Sequence, residues 1–194
     1  CYPDRRLRRL LQDDPMTNAA IGVFISLALT ALTVAQDDAT KSANANWPQF
    51  RGPQATGIAD GHALPVKWDL ESGENIKWKT AIAGLAHSSP VVWGDKVFVT
   101  TAVSSDPEPF LRVGLYGDIP KHEENYIHDF RVLFLDKSSG EILFDSLANR
   151  CVPLSQRHIK ATQANSTPAT NGEYVVSFFG SEGVFCHDMN GDMK

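Results

Sequence analysis

The sequence is poor in cysteine and has no excess of positive charge. Its 194 residues include three cysteines, Cys1, Cys151 and Cys186, which are too few for a disulfide framework and are not spaced as zinc ligands. We expect Cys186 to be a thiol within a strand rather than a disulfide partner of Cys151. The chain has 18 basic and 23 acidic residues, a formal net charge of −5, and its one basic cluster lies at Arg5–Arg9. Nucleic acid is therefore not an expected partner.

Long apolar runs are also scarce. The longest, Ile21–Val34, is shorter than the roughly 20 residues that a membrane span needs. The small residues Thr33 and Ala35, followed by a polar stretch, are typical of a signal peptide cleaved after Ala35. An uncleaved N-terminal anchor and a buried helix are the alternatives. The sequence thus predicts an exported protein, periplasmic or extracellular, with membrane contact only through an uncleaved N-terminal segment.

These signals divide the chain. Translation is expected to start at Met16, and Lys194 falls inside a repeat, so the sequence is expected to be an N-terminal fragment. The predicted segments are an upstream extension (1–15), the signal peptide (16–35), a disordered lead-in (36–46) and the folded part (47–194).

The folded part opens on Trp47–Gly57, a stretch with two prolines and two glycines. Such a segment favours an ordered cover without regular structure, in which Trp47 and Phe50 are buried. We expect Arg51 to cap or stack locally rather than to contact a ligand.

The rest of the chain contains an internal sequence repeat of two copies. Ser89–Val99 and Thr167–Ser177 align, with Pro90 and Gly94 recurring as Pro168 and Gly172, each 78 positions on (168−90 and 172−94). A second landmark, a turn from an aspartate to a glycine, also occurs twice, and its glycines are 51 apart (191−140). The first copy therefore has about 27 extra residues (78−51) between its two hairpins. Internal repetition of this kind indicates a modular array.

Each copy has the pattern of short strands joined by tight turns. Alternation and β-branched residues bounded by glycine turns predict strands, and no helical period follows the apolar run. Polar loops are expected at 104–129 and 146–165. The predicted strands are Asn75–Thr80, Pro90–Trp93, Lys96–Thr101, Arg131–Leu135, Glu141–Asp145, Tyr174–Phe179 and Val184–His187.

Four-stranded repeats that must stack on their neighbours are typical of β-propeller blades. The predicted fold is all-β: a β-propeller fragment of about two four-stranded blades plus one stray strand, preceded by a signal-peptide helix. The blades are placed at 88–145, with a loop insertion at 104–129, and at 166–194, which is incomplete. Such a pair would expose apolar faces and is expected to aggregate.

The turns Asp136–Gly140 and Asp188–Gly191 resemble those between the third and fourth strands of pyrroloquinoline-quinone-type (PQQ-like) β-propellers. The opening Trp47–Pro53 and the segments His158–Thr162 and Gly180–Gly183 are similar to exported bacterial members, notably of the Planctomycetes type. Phe144 and Phe134 stand where the repeat usually has tryptophan and alanine.

The resemblance implies two different functions. One is a binding or assembly scaffold for an unknown protein or small molecule, similar to the propeller of the outer-membrane protein assembly factor B. The other is a quinone-dependent alcohol or sugar dehydrogenase, with PQQ and calcium as cofactors. Members of that enzyme class use a Cys-Cys disulfide or a tryptophan platform and a calcium site of Glu, Asn and Asp, and no matching set is visible in this sequence. We therefore expect no catalytic residue and no evident cofactor, and favour the scaffold.

The repeat also indicates where a ligand would bind. His87 corresponds to Asn165 and Ser88 to Ser166, and all four precede the innermost strand, at the mouth of the central channel of a propeller. Capping of local turns is the competing role for these side chains. His122, Glu123, Glu124 and His128 could suggest a metal site in the insertion, but the sequence favours solvated loop charges there.

Overall fold

Within the described residues, nine short strands form three antiparallel sheets in a computed structural model. The structure describes residues 46–61, 64–109, 111, 121–122 (backbone) and 124–194. The predicted all-β class is confirmed, and the described residues contain no α-helix. The expected extension, signal peptide and cleavage point lie outside them. The strands are β1 (Val91–Trp93), β2 (Lys96–Ser104), β3 (Lys121–His122), β4 (His128–Asp136), β5 (Ile142–Cys151), β6 (Arg157–His158), β7 (Ala169–Thr170), β8 (Tyr174–Phe178) and β9 (Val184–Asp188).

The first sheet is an antiparallel meander in the order β1-β2-β4-β5. Gly94 and Asp95 form the turn between β1 and β2, and the predicted turn Asp136–Gly140 joins β4 to β5. Asp136 closes that turn, since its backbone accepts Gly140 N–H at 2.8 Å and its carboxylate accepts two further amides. Both predicted hairpins of the first copy are confirmed.

The second sheet, β7-β8-β9, repeats the first. β7 begins 78 residues after β1 (169−91) and β8 begins 78 residues after β2 (174−96). His187 forms an antiparallel bridge to Met193 beyond the turn at Asp188–Gly191, at the position of the Leu135–Ile142 pair in the first sheet. The second copy therefore has three paired strands and the first contact of a fourth.

The main core lies between these two sheets. Alternate residues of the central strands of the first sheet, among them Phe98, Phe130 and Phe134, pack against Val175 and Phe179 of the second. The rings of Phe130 and Phe179 meet edge to face with centroids 5.3 Å apart. Each buried phenylalanine contributes about 1.5–3 kcal/mol of transfer free energy, so this contact is the main attraction between the sheets.

The segment Asn75–Thr80 differs from the prediction, because it is not a strand. Its backbone forms no ladder with the described residues, and its side chains hold it instead. Trp78 Nε1 donates to Lys137 O at 2.9 Å, and Thr80 Oγ1 donates to Gly140 O at 2.6 Å. The Trp78 ring thereby covers the turn between β4 and β5.

The same contact recurs one copy later. Phe144 of β5 packs over Gly191, and Ser146 Oγ donates to Gly191 O at 2.7 Å. An aromatic residue, followed two positions later by a hydroxyl that binds the turn glycine, thus links each copy to the segment before it. Trp78 and Phe144 therefore occupy equivalent positions, each against the turn glycine of the copy that follows it.

The opening segment joins the inner edges of both sheets. Trp47 and Val92 exchange two backbone hydrogen bonds of 2.8 Å, and Thr170 N donates to Pro48 O at 2.9 Å. Phe50, predicted to be buried, is 60% exposed, whereas Trp47 is half-buried and its ring lies against Gly52. Arg51 caps locally as expected, through a hydrogen bond of 3.2 Å from Nη2 to Thr56 O.

The two predicted polar loops are in fact joined to each other. β3, in the insertion, pairs with β6, in the segment between the two copies. β5 also continues to Cys151, well into the second predicted loop. These pairings connect residues far apart in sequence, which local patterns do not reveal.

Candidate functional site

The predicted channel-mouth residues lie on two segments that the structure brings together. The backbone amides of His87 and Ser88 both donate to Ala164 O, at 3.0 and 3.2 Å. The Ser89 amide donates to Thr167 Oγ1 at 3.0 Å. The entries to β1 and β7 are therefore adjacent.

Three of the four predicted site residues make local structural contacts. Asn165 Oδ1 accepts the amide and the hydroxyl of Thr162, at 3.0 and 2.9 Å, and so caps the turn before β7. Ser88 Oγ donates to Thr100 O and accepts the Thr100 hydroxyl, which also reaches Ser166 O at 3.4 Å. His87 is exposed, and its ring forms no hydrogen bond with the described residues.

A cavity of about 130 Å³ opens beside these segments. One wall is the chain just before His87, another is the end of β2, and the rest comes from the insertion and the segment between the two copies. The surface of the cavity is mostly apolar, although most of the residues that line it have polar or charged groups. Its lining residues that matter here are Leu85, Ser104, Glu124, His128, Arg157 and Gln163.

Glu124 is the centre of a buried polar cluster at this cavity. Its side chain is 7% exposed and that of Arg157 is 4% exposed. Arg157 Nε donates to Glu124 Oε1, and Gln163 Nε2 donates to Glu124 Oε2 at 2.8 Å. Arg157 Nη1 also donates to Ala161 O at 2.9 Å. The carboxylate of the insertion is thus bound by two donors from the segment that leads into the second copy.

His128 completes the cluster from the first residue of β4. Its side chain is 4% exposed, Nδ1 lies 3.0 Å from Tyr126 O, and Nε2 lies 3.7 Å from Glu124 Oε2. A carbonyl oxygen can only accept a hydrogen bond, so Nδ1 carries the hydrogen and is the donor. Both ring nitrogens face oxygen atoms of the protein, but only the contact of Nδ1 is within hydrogen-bond distance.

The prediction of solvated loop charges is wrong for Glu124 and His128. The reason is that Arg157, which is distant in sequence, neutralises the carboxylate, and a buried charge requires such a partner. The side chains of His122 and Glu123 lie outside the described residues. Among the residues that are described, no three His, Cys, Asp or Glu side chains are grouped to hold a metal ion.

Sequence reasoning missed Arg157 and Gln163 as members of a site. Neither belongs to a recognisable motif, and both stand in a stretch that reads as irregular and polar. The sequence gives only an indirect signal. The predicted loops 104–129 and 146–165 both adjoin strand ends at the same side of the repeat, so they are expected to lie near each other. This proximity does not indicate which of their side chains are in contact.

Cys151 and Cys186 are free thiols, and the described residues contain no disulfide. Cys151 Sγ donates to Glu182 Oε2 at 3.3 Å. Burial, together with this carboxylate, raises the pKa of Cys151 to about 11. The Cys151 thiol is therefore protonated at neutral pH and is a poor nucleophile.

No helix in the described part of the chain has the length and apolar character to cross a bilayer. Comparison of the sequence with protein-family models and with curated proteins, and of the structure with solved structures, finds no match.

Proposed function

We propose that this chain is part of an exported β-propeller of the PQQ-like repeat class, and that it acts as a binding module rather than as an enzyme. Two features support the propeller. The two copies stack face to face, and each is linked to the preceding segment by the same aromatic and hydroxyl contact, Trp78 and Thr80 on Gly140, then Phe144 and Ser146 on Gly191.

The proposed ligand site is the cavity beside His87, and one observation carries the proposal. Glu124, Arg157, His128 and Gln163 form a buried cluster that gives the mostly apolar surface of the cavity a set of fixed polar groups. Pockets of this composition bind small molecules by shape and a few oriented hydrogen bonds. Binding is favoured over catalysis because the Glu124 carboxylate already accepts hydrogen bonds from Arg157 and Gln163.

The size of the cavity also limits the ligand. Sites for drug-sized ligands usually occupy roughly 300–1,000 Å³, whereas this cavity encloses about 130 Å³. A molecule of a few non-hydrogen atoms, or one end of a larger molecule, fits that space. A tricyclic quinone does not, so this cavity does not fit the cofactor of the alternative, a PQQ-dependent alcohol or sugar dehydrogenase.

A cavity-filling variant tests the binding site. The full chain is titrated with small probes (acetate, acetamide, ethylamine and glycerol) and followed by calorimetry and thermal unfolding. Leu85→Phe fills the cavity, whereas Leu70→Phe adds the same volume at an exposed position. We expect saturable binding of at least one probe that is lost in Leu85→Phe and kept in Leu70→Phe. Binding that is absent for all probes, or equal in both variants, contradicts the proposal.

Two further measurements test the class and the export. Addition of PQQ and calcium is expected to produce no stoichiometric cofactor absorbance and no dye-linked alcohol oxidation, and the appearance of both would replace the binding module by the dehydrogenase. Expression of the chain in a bacterial host with secretion machinery is expected to yield an exported protein that begins at Gln36. Retention inside the cell contradicts the signal peptide.

A further inference from the structure

His187 is a histidine buried between the two sheets. It lies on β9 opposite Val175 of β8, and its side chain is 0% exposed. Its ring meets that of Phe134 of β4 edge to face, with centroids 6.4 Å apart. His187 therefore contacts the apolar surface through which the first sheet holds the second.

Neither nitrogen of this ring has a hydrogen-bond partner in the described part of the chain, and the same is true of the hydroxyl of Ser177, a neighbour on the same face. Buried polar atoms in proteins are nearly always paired. A neutral imidazole tolerates this environment at moderate cost, but an imidazolium would place an unpaired charge in an apolar interface.

The charged groups around His187 do not offset such a charge. Asp188 is its neighbour in sequence, but the Asp188 carboxylate caps its own turn and pairs with Lys194 Nζ at 2.8 Å. Arg131 of β4 stands between Phe130 and Val132, which face the core, so it lies on the opposite face of the sheet, where it pairs with Asp129 and with Asp145 of β5.

The neighbouring strands of the second sheet add no partner either. On β8 the residues that share the face of His187 are Val175 and Ser177, which do not titrate near neutral pH, while Tyr174 stands on the other face. On β9, Cys186 also points to that other face, opposite Val176.

We propose that His187 makes the joint between the two sheets acid-sensitive, so that protonation of its ring detaches the second sheet from the first. Burial lowers the pKa of His187, and the charge of Asp188 only partly opposes this effect. The folded state therefore holds the ring neutral at a pH where the detached state takes up a proton.

The direction of the effect follows from proton linkage. The detached state binds more protons than the joined state below the ordinary histidine pKa of about 6.5. The stability of the joint is complete above that pH and falls as the pH falls through it. The loss approaches tenfold per pH unit only well below that pKa, and half of the detached rings are already protonated at pH 6.5. Acidification from pH 6.5 to 5.0 therefore weakens the joint by up to about 16-fold.

Hydrogen exchange of the full chain tests this proposal. We expect amides of β8 and β9 to lose up to about 16-fold protection between pH 6.5 and 5.0, after correction for intrinsic rates, while amides shared by β2 and β4 change less. The variants His187→Phe and His187→Leu are expected to abolish this difference. His87→Gln, at an exposed position, and His128→Gln, in the other cluster, are expected to retain it.

A direct titration covers the case in which neither core variant folds. The ring proton resonances of His187 in the folded chain are expected to titrate clearly below the ordinary histidine value. A folded-state titration near the ordinary value of about 6.5 would overturn the proposal. So would an acid response of the second sheet that persists unchanged in His187→Phe or His187→Leu.

Discussion

Two glycines of the first sheet offer a matched test of the contact between Trp78 and the turn before β5. Gly140 and Gly94 both have a left-handed backbone, with φ of 77° and 60°. A methyl group on Gly140 would lie 2.5 Å from two atoms of the Trp78 ring and 2.7 Å from Thr80 Oγ1, whereas a methyl group on Gly94 would meet nothing within 4 Å. The two changes to alanine share their backbone strain and differ in the contacts with Trp78 and Thr80.

The expected costs follow from these distances. A non-glycine residue in the left-handed region costs about 1–2 kcal/mol. The overlap with Trp78 adds the cost of overpacking, about 1–3 kcal/mol. Gly94→Ala should therefore destabilise the chain by about 1–2 kcal/mol, and Gly140→Ala by about 2–5 kcal/mol.

Urea unfolding of the two variants, each with and without Trp78→Ala, separates the cost of the backbone strain from the cost of the overlap with the Trp78 ring. Without the indole, the cost of Gly140→Ala should fall towards that of Gly94→Ala, leaving the contact with Thr80, with a coupling free energy of about 1–3 kcal/mol. The Gly94 variant should show no coupling. Equal costs for the two glycine variants, or an additive cycle at Gly140, would refute the view that the ring fastens this turn.

Three further predictions concern charged and ionisable groups. Glu124→Leu leaves the buried Arg157 guanidinium without its carboxylate and should lower the free energy of unfolding in urea by about 3–5 kcal/mol. The double variant Glu124→Leu with Arg157→Met should recover most of that loss. Additive costs of the two substitutions would contradict the pairing. Hydrogen bonds from the next two serines lower the pKa of Asp136 to about 2, so wild-type stability should fall as the pH falls from about 4 to about 2; Asp136→Asn should flatten this acid limb in a circular-dichroism titration. Alkylation of Cys151 at pH 8, followed by mass spectrometry, should be slow and should quicken in Glu182→Gln, because that carboxylate contributes to the raised pKa; equal rates would argue against it.

The elements that the sequence predicts well are those whose cause is local. The turn at Gly94 and Asp95 needs a left-handed glycine between two alternating apolar runs, and this pattern is visible without the structure. The same holds for Asp136–Gly140, where the carboxylate and the glycine close the turn by themselves. The positions of β7 and β8 follow from those of β1 and β2 through the 78-residue spacing.

The elements that it misses depend on partners distant in the chain. Asn75–Thr80 has the alternation of a strand, yet the described residues supply no backbone to pair with it, and the ring of Trp78 decides its position instead. Glu124 and His128 have the polarity of a surface loop, yet Arg157 makes their burial favourable. The channel-mouth prediction anticipated that the entries to β1 and β7 would correspond, but not the cavity beside them.

The backbone contacts of the opening segment have a consequence for folding kinetics. Pro48 and Thr170 are 122 residues apart (170−48), yet one hydrogen bond joins them. Local hairpins close in microseconds, whereas a contact across so many residues forms only after a large loss of chain entropy. The inner edge of the second sheet therefore closes late, and during synthesis Trp47 can pair with Val92 long before β7 leaves the ribosome. The opening segment is thus docked on the first sheet through Trp47 before Thr170 of β7 becomes available to pair with Pro48.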